Sequence, residues 1–328
     1  MKNITVLPVL VIIVCAITAN NSLYCQEKES AYSFSLDHCF GFVHGQVLEL
    51  VYPENTAGRL LSELRWDMKP VFYFGMTTGL GRRDLMGGPG FFSDLAFKYG
   101  IPGDSGIMED RDWMSVENGN LTHFSSHTNK TREFLWMDAS AGASFPVKTF
   151  FYVKPFIIGS WMRFSFTGRN GSGKYARKKD PFSETYYSID DNPLLNSYEG
   201  MEVIRYTQDW LLIAAGIKAG TKALLPFSFD LSFKISPFTY CAAVDNHLTT
   251  NYTFMDYTGW GLYLEPESGL SLTAGRFEFS MNFLYRYIGQ TRGLTYMKYG
   301  GSSYSIAGGE AGAGLSLLDA RFLIRMKF

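Results

Sequence analysis

"RFEFSMNFLYRY", Arg276 to Tyr287, sets the reading of the whole chain. Its odd positions are all apolar (Phe277, Phe279, Met281, Phe283, Tyr285, Tyr287), while its even positions include Arg276, Glu278, Ser280, Asn282 and Arg286. Side chains of an extended strand point alternately to two faces, so this stretch predicts a strand with one apolar and one polar face. "FSFDLSFKISP", Phe227 to Pro237, repeats the pattern: Phe227, Phe229, Leu231, Phe233 and Ile235 stand opposite Ser228, Asp230, Ser232, Lys234 and Ser236. In "LLSELRWDMKP", Leu60, Leu64, Trp66 and Met68 alternate with Arg65, Asp67 and Lys69. A soluble sandwich accounts for any one such strand. Apolar faces this long and aromatic fit better in a transmembrane barrel, with lipid outside, a polar interior and no open edge.

Composition agrees. Charged residues make up 19% of the chain, below the roughly 25% usual in soluble domains, and aromatics reach 16%. A formal net charge of −1 gives no case for a nucleic-acid partner. The chain opens with Lys2, an apolar run from Ile4 to Ile17, then small and polar residues. That order predicts a signal peptide over residues 1–25, cleaved between 19 and 26, ahead of a single barrel domain over 26–328. No later apolar run is long enough for a membrane-spanning helix. Cys39 and Cys241 are the cysteines securely in the mature chain, and their pairing stays open.

The alternation predicts ten antiparallel strands. Upward strands fall near 33–52, 89–108, 149–167, 227–247 and 276–290, and downward ones near 57–80, 128–146, 197–218, 251–273 and 305–328. The last ends on Phe328, with Met326, Ile324 and Phe322 on the same face. Long loops near 109–127, 168–196 and 291–304 then share the outer side.

Two acidic pairs attract attention in this topology. "GIMEDRDWM", Gly106 to Met114, carries Asp110 and Asp112, and "AAVDNHLTT", Ala242 to Thr250, carries Asp245 and His247. Each pair has the spacing that puts both side chains on one strand face, and both sit at outer strand ends where they could meet. On spacing alone, a polar barrel mouth without chemistry is the simpler account. Lys234 and Ser236 face inward on even positions, whereas Asp245 and His247 are odd, so a bulge is expected near Pro237–Cys241.

"MEDRDWM" (Met108–Met114) and "KISPFTYCAAVDNH" (Lys234–His247) closely resemble the catalytic strand ends of omptins, outer-membrane proteases of Gram-negative bacteria. "GRLLSELRW" (Gly58–Trp66), "RFSFTGR" (Arg163–Arg169) and the terminal strand are similar to omptin segments in the same order, so the resemblance runs from about Gly41 to Phe328. It implies a ten-stranded barrel with its cleft facing outward. It also implies hydrolysis of peptide or protein substrates at the cell surface, by water held between the Asp245–His247 and Asp110–Asp112 pairs. The chemistry is consistent with these residue types. Histidine titrates near neutrality and can accept a proton from water, Asp245 can orient it, and two close carboxylates tend to share a proton. No metal or other cofactor is required. A catalytically silent barrel acting as adhesin or pore is the alternative.

Departures from the omptin pattern bear on substrate and lipid. Omptins cut between basic residues and use acidic groups to hold the basic side chain. Glu49 stands at one such position, but Ala243 occupies the second, and Arg65 replaces a commonly acidic residue. Weakened selection for basic residues is therefore expected. Omptins also bind lipopolysaccharide on the barrel exterior. Arg163 matches one member of that cluster, while Trp161 and Gly159 replace two others and Asp209 stands where an arginine is expected. Weak or absent lipopolysaccharide dependence follows.

Other motifs read as structure. "GRNGSGK" (Gly168–Lys174) is a Gly-rich turn without the helix or Ser/Thr of a phosphate loop, and "GDSG" (Gly103–Gly106) is a turn without the rest of a serine-protease fold. His123 and His127 are a loop pair lacking a third metal ligand. "RKK" (Arg177–Lys179) is a solvated loop segment, with self-cleavage there as the sharper expectation.

Overall fold

The computed structural model describes residues 32–54, 59–82, 89–115, 119–147, 150–221 and 227–327. The expected signal peptide and Phe328 lie outside them. The strands are β1 (Tyr32–Pro53), β2 (Ser62–Arg82), β3 (Gly90–Gly100), β4 (Gly103–Asp112), β5 (His123–Val147), β6 (Phe151–Tyr175), β7 (Leu194–Ser197), β8 (Glu202–Thr221), β9 (Phe227–His247), β10 (Tyr252–Gly259), β11 (Tyr263–Ala274), β12 (Phe277–Ile288), β13 (Arg292–Tyr299) and β14 (Ser305–Lys327). Three consecutive pairs, β3/β4, β10/β11 and β12/β13, are each one interrupted stave, and β7 is a short ribbon on β6. The described residues therefore form ten antiparallel staves. The ring closes where β1 pairs with β14 from Ser35↔Lys327 to Pro53↔Gly309. Closure leaves no open edge, the condition for a sheet to span lipid.

One end of the ring wears an apolar belt. Phe40, Phe42, Phe72, Phe74, Phe97, Phe227, Phe229, Phe233, Phe238 and Phe322 are all exposed on its outer face. Inside that belt ion-paired side chains line a cavity of about 1170 Å³. Lys98 reaches Asp319 at 2.5 Å, Arg325 makes two 2.7 Å bonds to Asp37, and Glu265 is held by both Lys234 and Arg286. Above them an apolar core closes the barrel, with Trp66, Trp136, Trp210, Phe134, Phe164 and Phe166 fully buried.

The staves change phase between these two levels. On β2 three steps (Met68 to Val71) oppose two on β1, and Lys69 and Pro70 both point outward. On β9 three steps (Ile235 to Phe238) oppose two on β8, and Pro237 and Phe238 both point outward. Bulges at Gly106–Ile107 in β4 and Arg132–Glu133 in β5 act likewise. Each extra residue turns the following side chains through the sheet. Even-numbered Phe72 and Phe74 thus face lipid, while even-numbered Leu64, Trp66 and Met68 are buried inside. The apolar face of "LLSELRWDMKP" is consequently a core face, not a lipid face. Above the belt the outer surface instead carries Glu63, Arg65, Glu109 and Arg111, which pair across β2 and β4. Cys39 and Cys241 are buried and free.

Candidate active site

The mouth beyond the belt is built from two facing sets of strands. On one side, cross-strand register puts Glu49, Leu64 and Asp110 in a single row over β1, β2 and β4, with Ser62 opposite Asp112 in the next. The β4 bulge that aims Asp110 and Asp112 inward depends on Gly106, at φ 111°. A Cβ there would fall 2.7 Å from that of Asp67, whose carboxylate accepts the Ile107 N–H at 3.1 Å, so glycine is needed for both conformation and space. On the other side, Gln208, Ala243 and Asp256 form a row over β8, β9 and β10, followed by Tyr206, Asp245 and Phe254, then Ile204, His247 and Tyr252. The β9 bulge at Pro237–Phe238 brings Asp245 and His247 to the inner face, where the parity of the sequence required it.

The two sides are tied across the lumen. Gln208 Nε2 donates to the Leu48 carbonyl at 2.8 Å and lies 2.6 Å from the Tyr206 hydroxyl, while its Oε1 accepts from Trp210 Nε1 at 2.8 Å. Beneath the mouth, Trp66 stacks on Phe166 at 5.6 Å and on Tyr206 at 5.4 Å. This floor is apolar and buried, which strengthens charge interactions above it.

His247 Nε2 lies 2.6 Å from Asp245 Oδ2, and its ring meets Phe254 edge-on at 5.5 Å. Asp245 is buried, whereas His247 is 32% exposed and so reaches the cleft. Burial alone would disfavour the imidazolium. It is outweighed by the Asp245 charge and hydrogen bond and by the charges of Asp110 and Asp112, which raise His247 to about 9. The charges of Asp110 and Asp112 thus act on His247 across the mouth. Asp110 is raised well above the carboxylate range by burial and then by the charge of Asp112, with Ser62 Oγ 3.4 Å away. Asp112 is raised by burial to about 6, against the lowering effects of Ser62 and His247. One proton shared between them at neutral pH is the natural state.

Glu49 is buried in the same space. Burial, then the charges of Asp245, Asp256 and Asp110, push its carboxyl well above the usual range, and it lies within hydrogen-bond reach of Asp245. The structure thus brings together all five residues expected from the sequence: Asp110, Asp112, Asp245, His247 and Glu49. It adds Asp256, raised by burial and Asp245 to about 7, a residue that no motif along the chain singles out. Only the β9–β10 register, with Asp256 opposite Ala243, reveals it. Arg65 does not enter the pocket: it lies on the outer face, paired with Glu63.

The remaining motifs have structural duties. His123 and His127 lie on β5, not in a loop, because that strand begins five residues earlier than the alternation suggested. Buried His127 bonds the Asn170 carbonyl at 2.5 Å and Ser125 at 2.9 Å. "GRNGSGK" continues β6 through positive φ at Asn170 and Gly171. Ser105 of "GDSG" is buried against Asn129 and Thr131. Lys178, within "RKK", bridges to Tyr186 and pairs with Glu184, so the segment forms a short ribbon.

Comparison with known proteins gives consistent results. The plasminogen activator of Yersinia pestis is 26% identical over 298 residues, covering 85% of each chain. The crystal structure of the outer membrane protease OmpT from Escherichia coli superposes with a TM-score of 0.76 at 18% identity, over 92% of this chain and 99% of that one. The profile of the Omptin family matches residues 30–325, nearly all of the barrel, and the chain belongs to that family.

Proposed function

We propose that this protein is an outer-membrane endopeptidase that hydrolyses peptide bonds next to basic residues, with its active site on the extracellular side. The observation that carries the reading is the Asp245–His247 contact of 2.6 Å aimed at the Asp110–Asp112 pair across the mouth. Water held between the pairs attacks the scissile carbonyl carbon. Nε2 of His247 is engaged by Asp245, so Nδ1 takes the water proton, and Asp245 stabilises the imidazolium. Asp110 and Asp112, sharing one proton, orient the water. The C–N bond then breaks as the proton passes to the leaving amine. No side-chain nucleophile is needed.

The family relation and the belt support an outer-membrane location. Placement of the mouth beyond that belt, among the longer connections, supports its outward orientation. The apolar core around Trp66, Phe134, Phe164, Phe166 and Trp210 closes the lumen above the polar cavity, which gives the pore reading no support. An adhesin would bind host protein regardless of His247.

Lipopolysaccharide independence belongs to the same reading. Arg163 is paired with Glu133 at 2.9 Å and with Asp209 at 3.2 Å, so its charge is already matched by carboxylates that would repel a lipid phosphate.

The test is hydrolysis of a quenched-fluorescent peptide library by refolded protein without lipopolysaccharide, alongside Asp245→Ala and His247→Ala. Cleavage abolished by both changes is expected. An intact library with correctly folded barrel, with and without the lipid, would overturn the reading.

A further inference from the structure

Five carboxylates crowd the mouth, and three of them are buried with an oxygen that has no hydrogen-bond donor among the described residues: Glu49 Oε2, Asp245 Oδ1 and Asp256 Oδ1. Glu49 is 3% exposed and Asp256 5%. Neither forms an ion pair within 4.0 Å among the described residues, and Asp245 has only His247. Deeper in the barrel the rule is the opposite, since Glu265, Glu267, Asp319 and Asp37 each hold a Lys or Arg. Burying carboxylates without a cation is costly. An arrangement that leaves two uncompensated beside a reactive histidine is one waiting for positive charge from outside.

The placement is specific. Asp256 stands directly across the β9–β10 ladder from Ala243, whose side chain is a single methyl group, and Thr295 stands opposite it on β13. Glu49 approaches from β1 on the far side of the lumen, anchored next to Leu48, whose carbonyl Gln208 holds at 2.8 Å. Charges at Asp245 and Asp256 are both felt at Glu49. Among the described residues no three carboxylate or imidazole groups converge as metal ligands would. Carboxylates contributed from β1, β9 and β10, rather than focused on a point, suit the several N–H donors of a guanidinium or ammonium.

We infer that Asp256 and Glu49 together form the cation pocket that receives the Arg or Lys side chain beside the scissile bond, with Asp256 supplying from β10 the second carboxylate that Ala243 does not supply from β9. The inference rests on the endopeptidase reading. It replaces the expectation of weak selection: two carboxylates, with Arg65 turned away, select basic residues firmly.

The test has a hydrolytic and a binding arm. Wild type, Asp256→Asn and Ala243→Asp/Asp256→Asn are assayed on paired peptides with Arg or citrulline before the bond, which differ in charge and little in shape. Asp256→Asn should lower the Arg-to-citrulline ratio of kcat/KM by about tenfold or more, chiefly through KM for the Arg peptide, and the double variant should recover much of it. Agmatine binding to the same folded barrels is followed by calorimetry, and its Kd should rise about tenfold in Asp256→Asn. An unchanged ratio together with an unchanged agmatine Kd overturns the pocket. Agmatine that binds wild type and loses affinity in Asp256→Asn, with no peptide cleaved by wild type, upholds the pocket and sinks the protease. Binding of calcium ion alone that excludes agmatine would reassign the carboxylates to a metal and also overturn the inference.

Discussion

The lower lumen and the mouth are built from the same residue types and treat charge in opposite ways. Below, Asp319 accepts from Tyr73 and Lys98 at 2.5 Å each, and Glu267 is shared by Arg321 and Asn282. Arg286 lies against Glu265 with its guanidinium 3.5 Å above the Trp136 ring. Asp319, Glu267 and Glu265 have each been given a cation by the chain itself, and the result is a charge-matched lining. At the mouth, Asp110, Asp112, Asp245, Glu49 and Asp256 face one histidine. Paired charge fixes a structure, while unpaired charge stores a capacity to bind or to move protons.

This contrast can be broken by experiment. The largest effect is expected for His247→Ala or Asp245→Ala, each lowering kcat by about 10²–10⁴-fold in peptide hydrolysis, because the base or its orienting partner is lost. Nearly as large, but in stability, is Arg286→Met. It leaves Glu265 with half its compensation and should destabilise the barrel by about 3–5 kcal/mol in denaturant unfolding. A mutant as stable as wild type would show that the lumen pairs are not what holds the lower barrel together.

The next effect concerns pH. His247 must lose its proton to act as a base, and it does so as pH rises through about 9, so kcat/KM should climb with pH by about tenfold per unit below that value. Asp256 becomes anionic as pH rises through about 7, so KM for Arg peptides should fall over the same range. A bound cation beside Asp245 weakens its hold on the imidazolium proton, and the limb in kcat should therefore lie at lower pH than that in kcat/KM. Coincident limbs would mean that no cation sits there. The smallest effect is expected outside the barrel: adding lipopolysaccharide should alter activity less than about twofold. A rise of tenfold or more would show that Arg163 exchanges its carboxylates for lipid phosphate.

Much of this was legible in the chain. Alternation in "RFEFSMNFLYRY" and its relatives specified the ten staves, because period two survives wherever one face meets an apolar medium. The motifs around Asp110, Asp112, Asp245 and His247 located the mouth. What alternation did not reveal is which apolar medium each face meets. Even positions of β2 are apolar from Leu64 through Phe74, yet the upper ones line a core and the lower ones meet lipid. A bulge between two apolar environments leaves the pattern unbroken. Asp256 was hidden for a related reason: its meaning lies in what stands across the ladder, and pairing between strands is not written in the order along either.

The bulge of β9 has a consequence for how such an enzyme can be lost. Below Pro237 odd-numbered side chains look outward, and above it they look inward. Regular pairing through Ser236–Thr239 in place of the bulge, with every residue retained, would rotate the upper strand by half a turn. Val244 and Asn246 would then stand in the cleft, with Asp245 and His247 outside it. The protein's chemistry is thus addressed by the pairing of residues as much as by their kinds, and the shortest path to a silent barrel is a shift in phase that leaves every catalytic side chain unaltered.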